Sequence, residues 1–347
     1  MSAKPNADSL RVLPAPERYA VLLNARARGW TGEVHEAVQR FVPNRDLFLT
    51  DDFHQANTSI ERILDGDYDV IFTGGGDGTV VFLINAIEDK IRSGEMSRDE
   101  APPVGVLRLG TGNAIATYMG SGPIIEDLRT LHAGSPLQLR EVNMIEDGEH
   151  RFPFAGFGWD ADILNDYHQF KANFKDSALE PVTTGMGGYA MSIATKTLPK
   201  ALARGSKIAT FTNLGEEAFE LDEEGQVVRE FGAGEILYRG PIKITSPASI
   251  PYWGFNVRMF PYCNLRPGMF ELRYYKGSVA RVIANLRGFW RGHMPASTIG
   301  DWLVSSVRID IEDGPMSYQV AGDAAGLRDS VEWTLADHGA QLAVPLR

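Results

Sequence analysis

The chain has one cysteine, Cys263, in 347 residues. It can form no intramolecular disulfide and no cysteine-based metal cluster. This favours a reducing compartment, expected to be the cytoplasm. Also missing is any apolar run of the roughly eighteen residues needed to span a bilayer. Residues Met1 to Ala15 are polar, with prolines at 5 and 14, and lack the apolar centre of a signal peptide. Residues 1–16 read as a disordered tail. Positive charge is in deficit, with 34 Lys and Arg against 45 Asp and Glu and a net charge of −11. Neutralising a phosphate backbone needs a basic face, so no nucleic-acid partner is expected.

Several catalytic signatures are absent. There is no GxxxxGK[ST] loop, and neither glycine cluster supplies the third glycine or alanine of GxGxxG. HExxH is missing, and the seven histidines show no metal-ligand spacing. His54, His132, His168 and His293 read most simply as surface or structural residues. Gly-x-Ser-x-Gly does not occur, which leaves a serine hydrolase without support.

What is present is an ordinary globular balance, 44% hydrophobic and 23% charged, in a chain long enough for two domains. Residues 17–136 alternate strand and helix patterns. Apolar runs at Tyr19–Asn24, Asp46–Thr50, Asp69–Thr73 and Val104–Leu109 read as strands. Val34, Ala37, Val38 and Phe41 are spaced as a helix face, as are Ala56, Ile60, Ile63 and Leu64, and Val80 to Ile91 makes a third helix. Such alternation predicts a parallel, doubly wound α/β sheet with right-handed crossovers, with its ligands at the strand C-terminal ends. Over 137–347 the pattern changes. Phe152–Asp160, Lys207–Asn213, Phe219–Phe231, Pro241–Thr245, Gly254–Phe260, Met269–Tyr275 and Val304–Ile311 are short strand-like runs between turns. They predict an antiparallel β-sandwich domain, with the last strands free to return to the first domain. Helices are expected at 185–202 and 280–290.

Two glycine turns carry the chemistry. The first is Gly74-Gly75-Gly76-Asp77-Gly78-Thr79, after the third strand. Consecutive glycines let the backbone turn with positive φ and let a phosphate approach closely. Their N–H groups and the following helix N-terminus favour an anion. Asp77 is informative, because a carboxylate beside a phosphate is repulsive unless it holds Mg²⁺ or orients a hydroxyl nucleophile. The plain alternative is a tight turn in which Asp77 caps the helix. The second turn, Gly110-Thr111-Gly112-Asn113, ends the fourth strand, with Asn113 placed as a helix N-cap.

These pieces resemble the diacylglycerol kinase catalytic family, which includes sphingosine and ceramide kinases and bacterial lipid kinases. The resemblance rests on Asn24 and Thr50 after the first two strands, Gly75 to Thr79, Asn85 on the following helix, and Gly110 to Asn113. In the second half it adds Ala155-Gly-Phe-Gly-Trp-Asp160 and Gln319-Val-Ala-Gly-Asp323. It implies a nucleotide domain resembling NAD kinase and phosphofructokinase, followed by a β-sandwich, with ATP and Mg²⁺ as cofactors. ATP would lie between the domains with its phosphates on Gly74 to Thr79. Asn24 and Thr50 would frame it, and Thr111, Gly112 and Asn113 would close the other side. Asp77 would serve as metal ligand and catalytic residue, and Asp323 as a second catalytic carboxylate near the acceptor hydroxyl.

Three positions depart from the family pattern. Ala321-Gly322-Asp323 replaces Asp-Gly-Glu, Val81-Phe82 replaces Asn-Glu, and Arg266-Pro267-Gly268 stands where several bacterial members carry metal-binding aspartates. The last removes the expectation of a structural Mg²⁺ in the second domain. The implied partner is a membrane lipid (diacylglycerol, a sphingoid base or ceramide), met by peripheral membrane contact. The apolar stretch Gly185 to Ile193 and the cations Lys196, Lys200, Arg204 and Lys207 suit such docking, as does the basic run 266–293. Taken alone, the apolar stretch reads more simply as core, and the basic run at least as readily as a solvated surface. Two rivals remain: an NAD-kinase-like enzyme for a soluble acceptor, and a non-catalytic nucleotide or lipid sensor.

Overall fold

The computed structural model describes residues 10–158, Ala161 and 205–347, apart from 279–280, 282–284, 286–287, 289, 293–294 and 296. The helix expected at 185–202, most of that at 280–290, the apolar stretch 185–193, and Lys196, Lys200, Arg204 and Asp160 lie outside these residues.

The N-terminal half alternates as its pattern predicts. Strands β1 (Arg11–Leu13), β2 (Tyr19–Asn24), β3 (Leu47–Thr50), β4 (Val70–Gly75), β5 (Val104–Arg108) and β6 (Leu137–Val142) are joined by helices. These are α1 (Gly32–Phe41), α2 (Phe53–Leu64), α3 (Asp77–Ser93), α4 (Ala114–Met119) and α5 (Ile124–His132). Local chemistry sets several helix ends. Thr31 accepts from the Val34 N–H to cap α1, and Asp52 from the Gln55 N–H to cap α2. Gly94, at φ 78°, closes α3 in the left-handed region. Val21, Leu23, Val38, Phe72, Leu107 and Leu128 join one buried core, each contributing about 1.5–3 kcal/mol on burial.

The second half is built from strands. They are β7 (Ile145–Glu146), β8 (Arg151–Phe152), β9 (Ala155–Gly158), β10 (Lys207–Asn213), β11 (Glu217–Leu221), β12 (Val227–Gly232) and β13 (Ile236–Ile242), then β14 (Ile244–Ala248), β15 (Phe270–Tyr275), β16 (Ile299–Val304), β17 (Ser306–Ile311), β18 (Met316–Val320), β19 (Asp323–Arg328) and β20 (Ser330–Leu335). One sheet runs β13-β10-β17-β20-β7-β8 and the other β12-β11-β16-β15-β14-β9-β18-β19. They meet through aromatic rings: Tyr238 stacks on Tyr274 at 4.2 Å, Phe157 meets Trp333 at 5.7 Å, and Phe211 meets Trp302 at 6.0 Å. This is the sandwich expected from the sequence. Gly254–Phe260 is not one of its strands, because Gly254, Phe255 and Asn256 take φ values of 132°, 51° and 59°, incompatible with extended backbone.

The last strand, β21 (Ala340–Pro345), belongs to the first sheet, whose order is β1-β6-β21-β5-β4-β2-β3. It pairs parallel with β5 and antiparallel with β6. Residues 137–144 and 337–347 thereby join the first compact unit, together with Gly254–Asn256; the second unit is Ile145–Trp253 with Val257–Ala336. The first unit thus extends past the boundary at 136 expected from the sequence, because β6 finds its partners in the first sheet. Arg11–Leu13, assigned to a disordered tail, instead pairs with Leu137–Leu139 as an edge strand.

Strands β2, β3, β4 and β5 are mutually parallel. The chain goes outward from β2 to β3, then returns across β2 to β4. With right-handed crossovers this reversal sends α1 to one face and α2 and α3 to the other. In keeping with it, α1 packs with α5, and α2 with α3. The loops leaving β2 and β4 therefore part to opposite faces, and the C-terminal ends of these neighbours frame a topological switch point.

Candidate functional site

The first glycine turn is straighter than expected. Gly74 and Gly75 continue β4, paired with Leu107 and Arg108 of β5. None of Gly74, Gly75, Gly76 and Gly78 has positive φ; Gly76 sits at φ −84° as the residue before α3. Close packing, not backbone handedness, demands glycine here. A Cβ on Gly74 would come within 2.6 Å of the Leu23 side chain, and one on Gly75 within 2.2 Å of Thr79 Oγ1. At Gly76 it would meet nothing within 4 Å. That glycine leaves an open space over the first turn of α3, with no side chain capping the turn.

The second turn lies directly against the first. A Cβ on Gly110 would fall 2.4 Å from the Gly75 carbonyl oxygen and 2.5 Å from Gly76 Cα, so the two backbones touch. Asp77 fastens them. Its carboxylate is 9% exposed; Oδ2 accepts from the Ala114 N–H at 3.0 Å and Oδ1 from the Ile115 N–H at 2.8 Å. Asp77 is thus a cap, but for α4 across the site and not for its own helix. Asn113, the N-cap position of α4, adopts φ 54° and turns its side chain back to donate to the Gly110 carbonyl at 2.8 Å. It makes no side-chain cap.

The strand ends beside the turns hold the other expected residues. Asn24 and Thr50 are paired neighbours at the ends of β2 and β3. Asn24 Oδ1 accepts from the Arg26 N–H at 2.8 Å, and buried Thr50 donates from Oγ1 to the Leu23 carbonyl at 3.3 Å. The loop after β2 crosses to β5, where the Gly29 N–H donates to the Leu109 carbonyl at 2.9 Å. Thr111 is half-buried in the second turn. Asn85 Nδ2 donates to the Val81 carbonyl one helical turn back, at 2.8 Å. The first unit therefore gathers Asn24, Thr50, Gly74 to Thr79 and Thr111 to Asn113 along one sheet edge.

Sequence reasoning missed two contributors to this edge. Gly254–Asn256 reaches it from far along the chain: the Phe255 N–H donates to the Gly112 carbonyl at 2.9 Å, and Thr117 Oγ1 to Asn256 Oδ1 at 3.0 Å. Phe53 and Phe82 form an edge-to-face pair at 5.5 Å. Only the positions of Phe53 just after a strand and Phe82 just after the glycine turn signalled their nearness.

Asp323 lies in the second unit, exposed at the start of β19. The preceding turn has Ala321 at φ 49° and Gly322 at φ 88°, the left-handed pair of a tight hairpin. Glu271, Arg273 and Asp301 make a buried polar cluster in the same unit. Arg273 holds Asp301 through two bonds at 2.6 and 2.9 Å, and Glu271 Oε2 accepts from the Tyr262 N–H at 2.6 Å. Burial pushes the Glu271 carboxyl up to about 8; the Arg273 charge opposes this and the Asp301 charge adds to it.

A doubly wound sheet with two glycine turns at its switch point, followed by a sheet-rich second unit, defines an α/β protein of NAD kinase-like fold. Two solved structures share it across 94% of this chain and 96% of theirs. They are a diacylglycerol kinase and a putative diacylglycerol kinase, both from Bacillus anthracis str. Sterne, with TM-scores of 0.59 and 0.61 at 13% and 15% identity. Residues 18–144 match the diacylglycerol kinase catalytic domain. Diacylglycerol kinase 2 of Arabidopsis thaliana is 26% identical over 187 residues, 47% of this chain and 25% of that protein. Human diacylglycerol kinase iota is 29% identical over 123 residues, 28% of this chain and 11% of that protein. The chain thus spans a quarter or less of these curated relatives.

Proposed function

We propose that this protein transfers the terminal phosphate of ATP, with Mg²⁺, to the hydroxyl of a membrane lipid, diacylglycerol before a sphingoid base or ceramide. The observation that carries this reading is the pair of glycine turns locked backbone to backbone, with open space at Gly76 over the uncapped first turn of α3. Phosphoryl transfer asks a protein mainly for positioning and charge neutralisation, and N–H groups at a helix start serve both. Asn24 and Thr50 frame the nucleotide, and Thr111, Gly112 and Asn113 close its other side.

The donor set suits Mg²⁺ bound mainly through phosphate. Among the described residues no group of three His, Cys, Asp or Glu could hold a metal ion, whereas Mg²⁺ commonly takes one or two carboxylates plus substrate phosphates. Asp77 is the carboxylate in the turn, its oxygens accepting from the Ala114 and Ile115 N–H groups. Bound there, the ion would neutralise phosphate charge. Asp77 also positions the second turn, and Asp323 is carried as a second catalytic carboxylate by the family resemblance alone.

The acceptor sits at a membrane surface, so peripheral contact from the cytoplasm follows. Support comes from exposed Leu265 and Trp290 beside Arg266 and Arg291 in the sequence, apolar and cationic groups of the kind that dock at interfaces. The test is incubation with radiolabelled ATP and a panel of dispersed diacylglycerol, sphingosine, ceramide and NAD. Label in diacylglycerol is expected. Label in NAD alone, or in nothing, overturns the proposal.

A further inference from the structure

Phe53, the first residue of α2, is 69% exposed. It stands three residues after Thr50, the end of β3, and its ring meets Phe82 at 84°. Phe82 lies on α3, where Val80, Val81, Leu83 and Ile84 are buried. Gly78, Thr79, Phe82 and Asn85 remain partly exposed and fall at helix spacing, so they share one stripe. This stripe starts at the glycine turn and reaches Phe82 after about 6 Å of helix rise. A nucleotide with its phosphates on the turn has its base within reach of the aromatic pair.

The arrangement is suited to stacking. An edge-to-face contact fixes two rings relative to each other, so Phe53 is held by Phe82 while most of its surface stays open. We propose that Phe53 and Phe82 form the base-stacking platform of the nucleotide site, with a purine lying on the open face of Phe53. This rests on the nucleotide-binding reading above and adds to it the residues that recognise the base. The platform selects by aromatic area, so it favours purine over pyrimidine triphosphates.

The test compares ATP with inorganic tripolyphosphate, which has the phosphates and no base. Calorimetry with Mg²⁺ on the full chain should show Phe53→Ala weakening ATP on the order of tenfold, with tripolyphosphate binding unchanged. Phe53→Trp should retain ATP affinity, and Phe82→Ala should weaken ATP as Phe53→Ala does. Unchanged ATP affinity in Phe53→Ala overturns the platform while leaving the phosphate site standing. Equal weakening of ATP and tripolyphosphate also overturns it, because the pair would then be shaping the turn. If the wild type binds tripolyphosphate and ATP equally well, no base is being read. If it binds neither, the nucleotide reading fails with it.

Discussion

Replacing Asp77 with asparagine changes one carboxylate oxygen into an NH₂ group at nearly constant size. The wild-type oxygens accept from the Ala114 and Ile115 N–H groups at 3.0 and 2.8 Å. The amide can keep one of these bonds, and the other N–H then faces a donor. An unsatisfied buried donor costs about 1–3 kcal/mol. The surviving bond also loses its charge assistance, which roughly doubles such a bond. A loss of about 2–3 kcal/mol follows. In a unit of this size each kcal/mol moves the melting point by roughly 2–4 °C, so the first unit should melt about 4–12 °C lower. Scanning calorimetry reads this directly, and turnover on dispersed diacylglycerol should be followed in parallel. Turnover should fall with stability, because the second glycine turn loosens against the first. An Asp77→Asn protein melting within about 1 °C of wild type refutes this reasoning, and loss of turnover in that protein would assign the carboxylate to substrate alone.

Gly110→Ala should lower the melting point, by an overpacking cost of about 1–3 kcal/mol, since its Cβ meets backbone at 2.4 Å. Gly76→Ala should cost at most about 1 kcal/mol yet weaken tripolyphosphate binding, because the methyl enters the open space; calorimetry separates the two. Ala321→Gly should stabilise the second unit in denaturant titrations by up to about 1 kcal/mol, relieving the left-handed φ of 49°. Folded Glu271 holds its proton up to about pH 8, whereas an unfolded glutamate releases it near pH 4.3. The folded state therefore binds more protons between these values, and the group's contribution to stability is lost as pH rises through that window. Glu271→Gln should flatten this slope in thermal melts taken from pH 5 to 8.

The first unit was legible where the chain is continuous. Strands β2, β4 and β5 are short apolar runs ending in polar residues or glycine, and the residues at their ends proved to be neighbours. Local pattern misled at the glycines. Three in a row suggested a turn, but β4 has a partner on each side, Leu23 opposite Gly74 and Arg108 opposite Gly75, and the ladder carries the strand through them. The bond between Asp77 and α4 spans 37 and 38 residues, beyond any helical or strand period. Gly254–Phe260 has the composition of a strand, yet consecutive left-handed residues bend it toward Gly112. No pattern in sequence announces positive φ at a phenylalanine.

The place of β21 has a consequence for how the molecule is made. Ala340–Pro345 lies between β5 and β6, so the sheet carrying the glycine turns stays split until β21 has been synthesised. A ribosome delivers β1 to β6 long before the strand that joins them, and in the interval β5 and β6 each show an unpaired edge, a template for unwanted pairing. Closing the sheet requires a contact between residues some 200 positions apart, the kind of long-range pairing that slows folding. The segment 18–144 that carries the family's motifs is therefore not a module to be cut out and expressed alone. The strand that joins β5 to β6 in its sheet is encoded after the sandwich unit.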